Sequence, residues 1–118
     1  MYYIDKYTVS LRRSILNSQL KKGALELCVM ALLRKRDYYG YELVQKISEN
    51  IEISEGTIYP LLRRLSKEDV FTTYLKESDG GPPRKYYSLT ENGFEIYESK
   101  YKDWNIFIKG IHSIIEKE

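Results

Sequence analysis

The stretch that most constrains the fold is SEGTIYPLLRRLSKED, residues 54–69. Apolar residues recur in it at the i, i+3, i+4, i+7 spacing of a helix packed on a core. They are Ile58, Leu61, Leu62 and Leu65. Ser54 is the predicted N-cap, because its hydroxyl can accept a hydrogen bond from a free backbone N–H of the first turn. The stretch therefore predicts an amphipathic helix.

The outward face of this helix carries Gly56 and Pro60 near its start and basic residues further along. Pro60 cannot donate to the carbonyl of Gly56, a defect of roughly 3 kcal/mol inside a helix. The basic residues of this face are Arg63 and Lys67, and Thr57, Tyr59 and Arg64 lie on its flanks. A low helix start followed by basic residues suits insertion into a DNA major groove. Taken alone, the stretch fits a solvated surface helix with a kink equally well, so its surroundings must decide.

Two further helices are predicted upstream. Residues 20–34 are apolar nearly all round the helix, which indicates the buried centre of the domain. Residues 39–50 give a second amphipathic helix with Leu43, Val44 and Ile47 on its inner face. A turn of only three residues leads from it into the basic helix. This arrangement predicts a helix-turn-helix.

After the basic helix the pattern changes to that of strands. Residues 70–75 and 85–89 are rich in β-branched and aromatic residues, and SDGGPPR lies between them. The glycines supply a turn, and we expect Pro82-Pro83 to end the first strand. The hairpin predicts a winged helix, whose wing can place Arg84 and Lys85 on the DNA backbone or in the minor groove. The alternative is a structural hairpin with solvated charges.

A long last helix is predicted from Glu91 to about Glu116, with Thr90 as its cap. Its apolar positions advance in alternating steps of three and four residues, which is the spacing of a coiled-coil seam. They are Phe94, Tyr97, Tyr101, Trp104, Ile108, Ile111 and Ile115. A helix about 40 Å long exceeds what a domain of this size can cover. We therefore expect two copies of the chain to pair through it, either parallel or antiparallel.

Composition and charge narrow the function classes. The net charge is +2, but residues 1–36 hold eight basic and two acidic residues, so the basic character is local. One histidine, His112, and one cysteine, Cys28, give no metal-ligand set, and Cys28 is expected to be a small core residue. Phosphate-loop and nucleophile-elbow motifs are missing too. We predict no enzyme, no cofactor and no metal. The absence of a signal-peptide core predicts the cytoplasm.

Several segments together resemble the PadR family of transcriptional regulators. They are GALELCVMALL (23–33), YYGYEL (38–43), SEGTIYPLLRRL (54–65) and GPPRKYYSLTENG (81–93), followed by a last helix that bears a tryptophan. The length resembles that of the short branch, which has a single C-terminal dimerisation helix. This resemblance implies a homodimeric repressor that binds a palindromic operator and is released by a small molecule.

The resemblance also implies which residues contact DNA. The expected contacts lie on the recognition helix, on the wing, and at the start of the second helix, where a helix N-terminus faces phosphate. They are Tyr39, Ser54, Thr57, Tyr59, Arg63, Arg64, Lys67, Arg84 and Lys85. In multidrug-binding members, a tryptophan in the place of Trp104 stacks on planar ligands. Trp104 also fills a seam position, and packing in the dimer is the favoured interpretation.

We thus expect an N-terminal arm (1–19), a winged helix-turn-helix DNA-binding domain (20–90) and a dimerisation helix (91–118). The arm, helical from about residue 8 to 17, either docks on a partner subunit or is a partly ordered tail. The expected partners are operator DNA, a second copy of the chain and a small-molecule effector, with no membrane. The competing hypothesis is a protein-interaction adaptor with the same fold. The operator, the regulated genes and the effector are not encoded in any recognisable pattern.

Overall fold

A computed structural model describes residues 22–117. Its elements are α1, of which residues 22–35 are described, β1 (Tyr38–Tyr39), α2 (Gly40–Ser48), α3 (Glu55–Lys67), β2 (Phe71–Ser78), β3 (Gly81–Leu89) and α4 (Glu91–Ile115). The predicted architecture, mainly helical with a β-wing and a long last helix, is confirmed. The predicted arm lies outside the described residues. None of the helices within residues 22–117 is long and apolar enough to cross a membrane.

The inner face of α3 lies in the core, as its spacing predicts. All four of its apolar positions are buried, and Ile58 has no exposed surface. They pack with fully buried Val29 and Met30 from α1, with Leu43 from α2 and with the root of the hairpin. Core residues from the hairpin and α4 are Val70, Phe71, Tyr87, Leu89 and Tyr97. Cys28 is partly buried against this core, and burial raises the pKa of its thiol.

Ser54 caps α3 in a way that differs from the prediction. Its backbone is extended, as an N-cap requires, but its hydroxyl makes no hydrogen bond to a first-turn N–H. The N–H of Thr57 donates instead to the backbone carbonyl of Ser54 at 3.0 Å. The two hydroxyls lie 3.3 Å apart and bond to each other. The predicted cap position is therefore confirmed, whereas the predicted capping bond is wrong.

The sheet has three antiparallel strands in the order β1-β3-β2, one more than predicted. In the added strand, Tyr38 pairs with Tyr87, and Tyr39 pairs with Tyr86. Two residues are too few to show the alternation that marks a strand in sequence. β1 exists because the chain leaving α1 passes along the free edge of β3.

Pro82 and Pro83 lie inside β3, whereas β2 already ends at Ser78. The prediction that these prolines end the first strand is therefore wrong. The pairing of the hairpin is irregular between Lys76 and Ser78, which places both prolines where the ladder is interrupted. Proline has no N–H to donate, so it is tolerated best at such a position. The predicted turn is confirmed, and Gly80 there has φ +69°, a conformation that favours glycine.

Helix α4 is anchored at its start by Thr90, as predicted. The Thr90 hydroxyl accepts a hydrogen bond from the N–H of Gly93 at 2.9 Å and donates to the carbonyl of Asp69 at 2.7 Å. The Thr90 N–H donates to the carbonyl of Val70 at 3.0 Å. These bonds hold the first turn of α4 against the residues that join α3 to β2.

Two glycines of α4 should respond oppositely to a methyl group. In Gly93→Ala the added Cβ would lie 2.1 Å from the carbonyl oxygen of Val70 and 2.7 Å from Cδ1 of Leu89. We expect this variant to lose about 1–3 kcal/mol of unfolding free energy, because the backbone must move to make room. Gly110→Ala meets nothing within 4 Å. We expect it to gain up to about 1 kcal/mol from helix propensity.

Urea unfolding followed by circular dichroism, at one fixed protein concentration, measures both changes. Equal effects of the two substitutions would contradict the close packing of α4 on the root of the hairpin.

Candidate nucleic-acid interface

The outward face of α3 is open to solvent. Gly56, Thr57, Pro60, Arg63 and Lys67 are all exposed, and Pro60 lies inside the helix as the sequence requires. Gly56 and Pro60 leave a low surface near the start of the helix, and Arg63 and Lys67 follow it along the same face. The predicted contacts Thr57, Arg63 and Lys67 therefore lie together on one face, with Ser54 exposed at its N-terminal end.

Tyr59 lies between α3 and the start of α2 and is half-buried. A Cβ added to Gly40 would come within 2.7 Å of its ring carbon Cε1, so the ring rests directly on the glycine. Burial, followed by the nearby carboxylate of Glu55, raises the pKa of the Tyr59 hydroxyl. The hydroxyl therefore stays protonated at neutral pH and can donate a hydrogen bond. The close approach of α2 and α3 fixes the position from which it donates.

Tyr39 is the N-cap of α2, where the resemblance implies a phosphate contact. Its backbone N–H already donates to the carboxylate of Glu42 at 3.2 Å. Arg36 pairs with the same carboxylate at 3.3 Å. Any phosphate contact made by Tyr39 must therefore come from its side chain.

Three tyrosines, Tyr39, Tyr86 and Tyr74, form a row across the three strands, which we call the tyrosine row. The first two rings meet edge to face with centroids 5.5 Å apart, and the last two stack at 5.6 Å. They are cross-strand neighbours in the register of the sheet. The Tyr74 hydroxyl donates to Asp37 at 2.6 Å, which raises the pKa of Tyr74 and ties the wing to the chain before β1.

The two predicted wing cations lie on opposite faces of β3, because successive residues of a strand alternate. The guanidinium of Arg84 lies 4.6 Å from the ring centroid of Tyr39, on the face of the tyrosine row. Lys85 lies on the other face, with its Nζ 5.8 Å from the ring centroid of Tyr87. Burial raises the pKa of Tyr87, Tyr59 adds to the shift, and the positive charge of Arg63 opposes it. Lys85 therefore shares a side of the domain with α3, whereas Arg84 flanks the start of α2.

Arg64 differs from its neighbour Arg63. Its guanidinium is held by Glu26 of α1 and lies 3.5 Å from Glu68 of α3. The hydrogen bond that Arg64 donates to Glu26 is the main cause that raises the pKa of Arg64. Its role as a DNA contact stays a prediction. Both carboxylates pair with the charge of Arg64, whereas Arg63 presents its charge to solvent.

The residues of the predicted seam of α4 differ in how exposed they are. Tyr97 is only 8% exposed and belongs to the core of its own domain. Trp104, Ile108 and Ile111 are half-buried. The remaining seam residues are exposed and are Phe94, Tyr101 and Ile115. Beyond the first turns, the predicted seam therefore presents apolar surface.

Phe107 and Ile114 widen this apolar face, since they are 62% and 78% exposed and lie seven residues apart beside the seam. The predicted seam followed only the alternating steps of three and four residues and therefore omitted both. Their seven-residue spacing nevertheless indicates that they lie on one face of the helix. His112 pairs with Glu116 at 3.6 Å on the helix surface. Across residues 22–117, no group of three or more His, Cys, Asp or Glu side chains could hold a metal ion.

Residues 29–99 match the family model of the transcriptional regulator PadR-like family. The chain belongs to this family. A PadR-like transcriptional regulator from Bacillus cereus shares 37% identity and a TM-score of 0.77 over 85% of this chain and 99% of that one. A PadR-family regulator from Eggerthella lenta shares 29% identity and a TM-score of 0.77, over 95% and 97% of the two chains.

The Escherichia coli transcriptional regulator YqjI is 35% identical over 80 residues, which are 64% of this chain and 37% of that longer protein. PadR-like regulators bind DNA, so regulation of transcription through DNA is the family function. The family match ends inside α4, after the winged helix and before most of the exposed apolar face. The family assignment therefore rests on the part of the chain that carries the predicted DNA contacts.

Sequence reasoning missed several residues that shape this PadR-like surface. Lys76 lies 5.4 Å from the ring centroid of Tyr86, and Asp37 accepts from Tyr74. Glu26 holds Arg64 from 38 residues away in the chain. The strand pattern placed Tyr74 in a wing but did not show which side chains it meets. These contacts join distant segments, and periodicity does not report them.

Proposed function

We propose that this PadR-family protein is a homodimeric repressor that binds a palindromic operator through α3 and the wing of each subunit. The observation that carries the proposal is the exposed basic face of α3, which presents Arg63 and Lys67. Lys85 of the wing lies over the ring of Tyr87, whose pKa is raised by burial and lowered in part by the positive charge of Arg63. A repressor of this kind acts on its operator in the cytoplasm. The proposed subunit has a winged-helix DNA-binding domain over residues 20–90 and a dimerisation helix over residues 91–118.

In this proposal the low start of α3 enters the major groove. Thr57 and the protonated hydroxyl of Tyr59 supply hydrogen bonds there, and Ser54 lies at the entry of the helix. Arg63 and Lys67 follow along the groove and neutralise phosphates, which releases counterions and makes affinity fall with salt.

The wing adds proposed contacts from both faces of β3. Lys85 lies on the side of α3, whereas Arg84, held over the Tyr39 ring, reaches the backbone near the start of α2. Two subunits related by twofold symmetry would read half-sites about 34 Å apart, one turn of DNA. The palindrome in the proposed operator follows from this symmetry.

Arg63→Gln tests the DNA contact. We expect weaker binding to the fragment upstream of the protein's own gene, and a slope of log affinity against log salt that is smaller by about 0.9 for each phosphate that the variant no longer neutralises. Fluorescence anisotropy across a salt series, with scrambled DNA as competitor, measures both quantities. Lys109→Gln removes an exposed charge from α4 and serves as the matched control.

An unchanged affinity and slope in Arg63→Gln would remove this residue from the interface. Equal weak binding of the unmodified protein to native and scrambled DNA would favour the adaptor hypothesis.

The dimer is proposed to form through the exposed apolar face of α4. Ile108 and Ile106 are two residues apart and therefore lie on nearly opposite sides of this helix. Ile108→Asp should give monomers in multi-angle light scattering, because it places a charge in the seam. Ile106, 63% exposed and off the seam, offers the matched control, and Ile106→Asp should leave the dimer intact. Dimers of both variants would refute the seam.

Release by a small planar aromatic or lipophilic effector is the remaining part of the proposal. It is supported by half-buried Trp104, which lies on the apolar face of α4 and is the only tryptophan of the chain. Packing in the dimer is the alternative role for this side chain. We expect a planar dye such as proflavine to quench Trp104 fluorescence saturably and to lower operator affinity. Dimers whose Trp104 is quenched by no member of an aromatic panel would refute the effector site.

A further inference from the structure

Glu26 of α1 lies between cations that come from two other helices. Its Oε1 accepts a hydrogen bond from Nη2 of Arg64 on α3. Its Oε2 lies 3.6 Å from Nζ of Lys100 on α4. The side chain of Glu26 is 12% exposed, against 38% for Arg64 and 47% for Lys100. One nearly buried carboxylate thus bridges α3 and α4, and we call Glu26, Arg64 and Lys100 the bridging triad.

Burial gives this carboxylate a large effect on its neighbours. A buried charge is costly unless it is paired and hydrogen-bonded, so the carboxylate of Glu26 favours geometries that keep both cations close. Arg64 is held from a second direction, because Glu68 lies 3.5 Å from its Nη1. A planar guanidinium fixed by two carboxylates has little freedom to turn toward a ligand. The direction of the Arg64 side chain is therefore set by the protein.

The same contacts cancel the charge of Arg64. A cation already paired with two carboxylates has little charge left to neutralise a phosphate and release its counterion. Arg63, the preceding residue, is exposed on the outward face of α3. The two adjacent arginines of the recognition helix therefore stand in opposite electrostatic situations.

We propose that Arg64 is a positioning residue for DNA binding rather than a DNA contact, and that the bridging triad ties the recognition helix α3 to α4. This inference rests on the proposed function, in which α3 binds DNA. Lys100 lies four residues before Trp104 on α4. A shift of α4 at this level moves a cation away from the carboxylate that holds Arg64, so the placement of α3 depends on α4.

The experiment compares three glutamine variants by operator anisotropy across a salt series. Arg63→Gln should lower both the affinity and the salt slope. Arg64→Gln and Lys100→Gln should lower the affinity by about two- to thirtyfold, the range of coupling through packed contacts, and leave the slope unchanged. Glu95→Gln, the matched control, removes an exposed carboxylate of α4 outside the triad and should bind like the unmodified protein. Arg64→Lys keeps the charge without the planar fork and should fall between Arg64→Gln and the unmodified protein.

A double-mutant cycle tests whether the triad acts as a unit. The double variant of Glu26→Gln and Arg64→Gln should lose much less operator affinity than the product of the two separate fold-losses, because each substitution removes the same contact. If the two fold-losses of affinity simply multiply, the residues act independently and the proposed triad is refuted. A fall in salt slope in Arg64→Gln as large as in Arg63→Gln would make Arg64 a phosphate contact. An unchanged operator affinity in Lys100→Gln would refute the proposed coupling between α3 and α4.

Acrylamide quenching of Trp104 fluorescence examines the triad without DNA. Arg64→Gln and Glu26→Gln should change the quenching constant of this single tryptophan, and Glu95→Gln should not. If the unmodified protein shows no preference for operator DNA, the proposed function fails, and the quenching result then decides the link alone. A change confined to the triad variants would support it, and unchanged quenching in all variants would overturn it. Far-UV circular dichroism confirms that each variant is folded.

Discussion

The burial of one face of α3 is the constraint on which the rest of the structure depends. Its four apolar side chains fill the centre of the core and meet α1, α2 and the root of the hairpin at once. With that face fixed, a helix has no freedom left to choose which residues point outward. The opposite face therefore presents a low start and then cations, and the hairpin that follows must emerge beside it. The surface proposed to bind DNA in this PadR-family chain is thus a consequence of how its core packs.

Partners, rather than residue types, decide what each cation on this surface can do. Arg63 faces solvent, Arg84 lies over an aromatic ring, and Arg64 is held between two carboxylates. A free cation can exchange its counterions for phosphate, whereas a paired one must first break its ion pairs. Two neighbouring arginines of α3 therefore differ in electrostatic surroundings, because one is exposed and the other is ion-paired.

Local patterns predicted most of the fold but little of the electrostatic detail. Periodicity located the four helices and both faces of α3, and turn residues located the hairpin, because these signals arise within a few residues. The strand of Tyr38 and Tyr39 was not predicted, since it exists only by pairing with β3. The ion pair of Arg64 with Glu26 was not predicted either, because its partners lie 38 positions apart. Both prolines were misplaced, because an irregular ladder that tolerates them is a property of two strands together.

The exposed half of α4 is best understood from what its first half does. Gly93, Thr90 and buried Tyr97 fix the start of the helix to the domain, so the rest must project in a direction that the core sets. Along that projection, Phe107, Ile114 and Ile115 are each more than 60% exposed. Such continuous apolar surface on a small domain marks an interaction site. Because these contacts anchor the helix to its domain, the proposed second copy bound there would fix the separation of two domains and hence the spacing of their α3 helices.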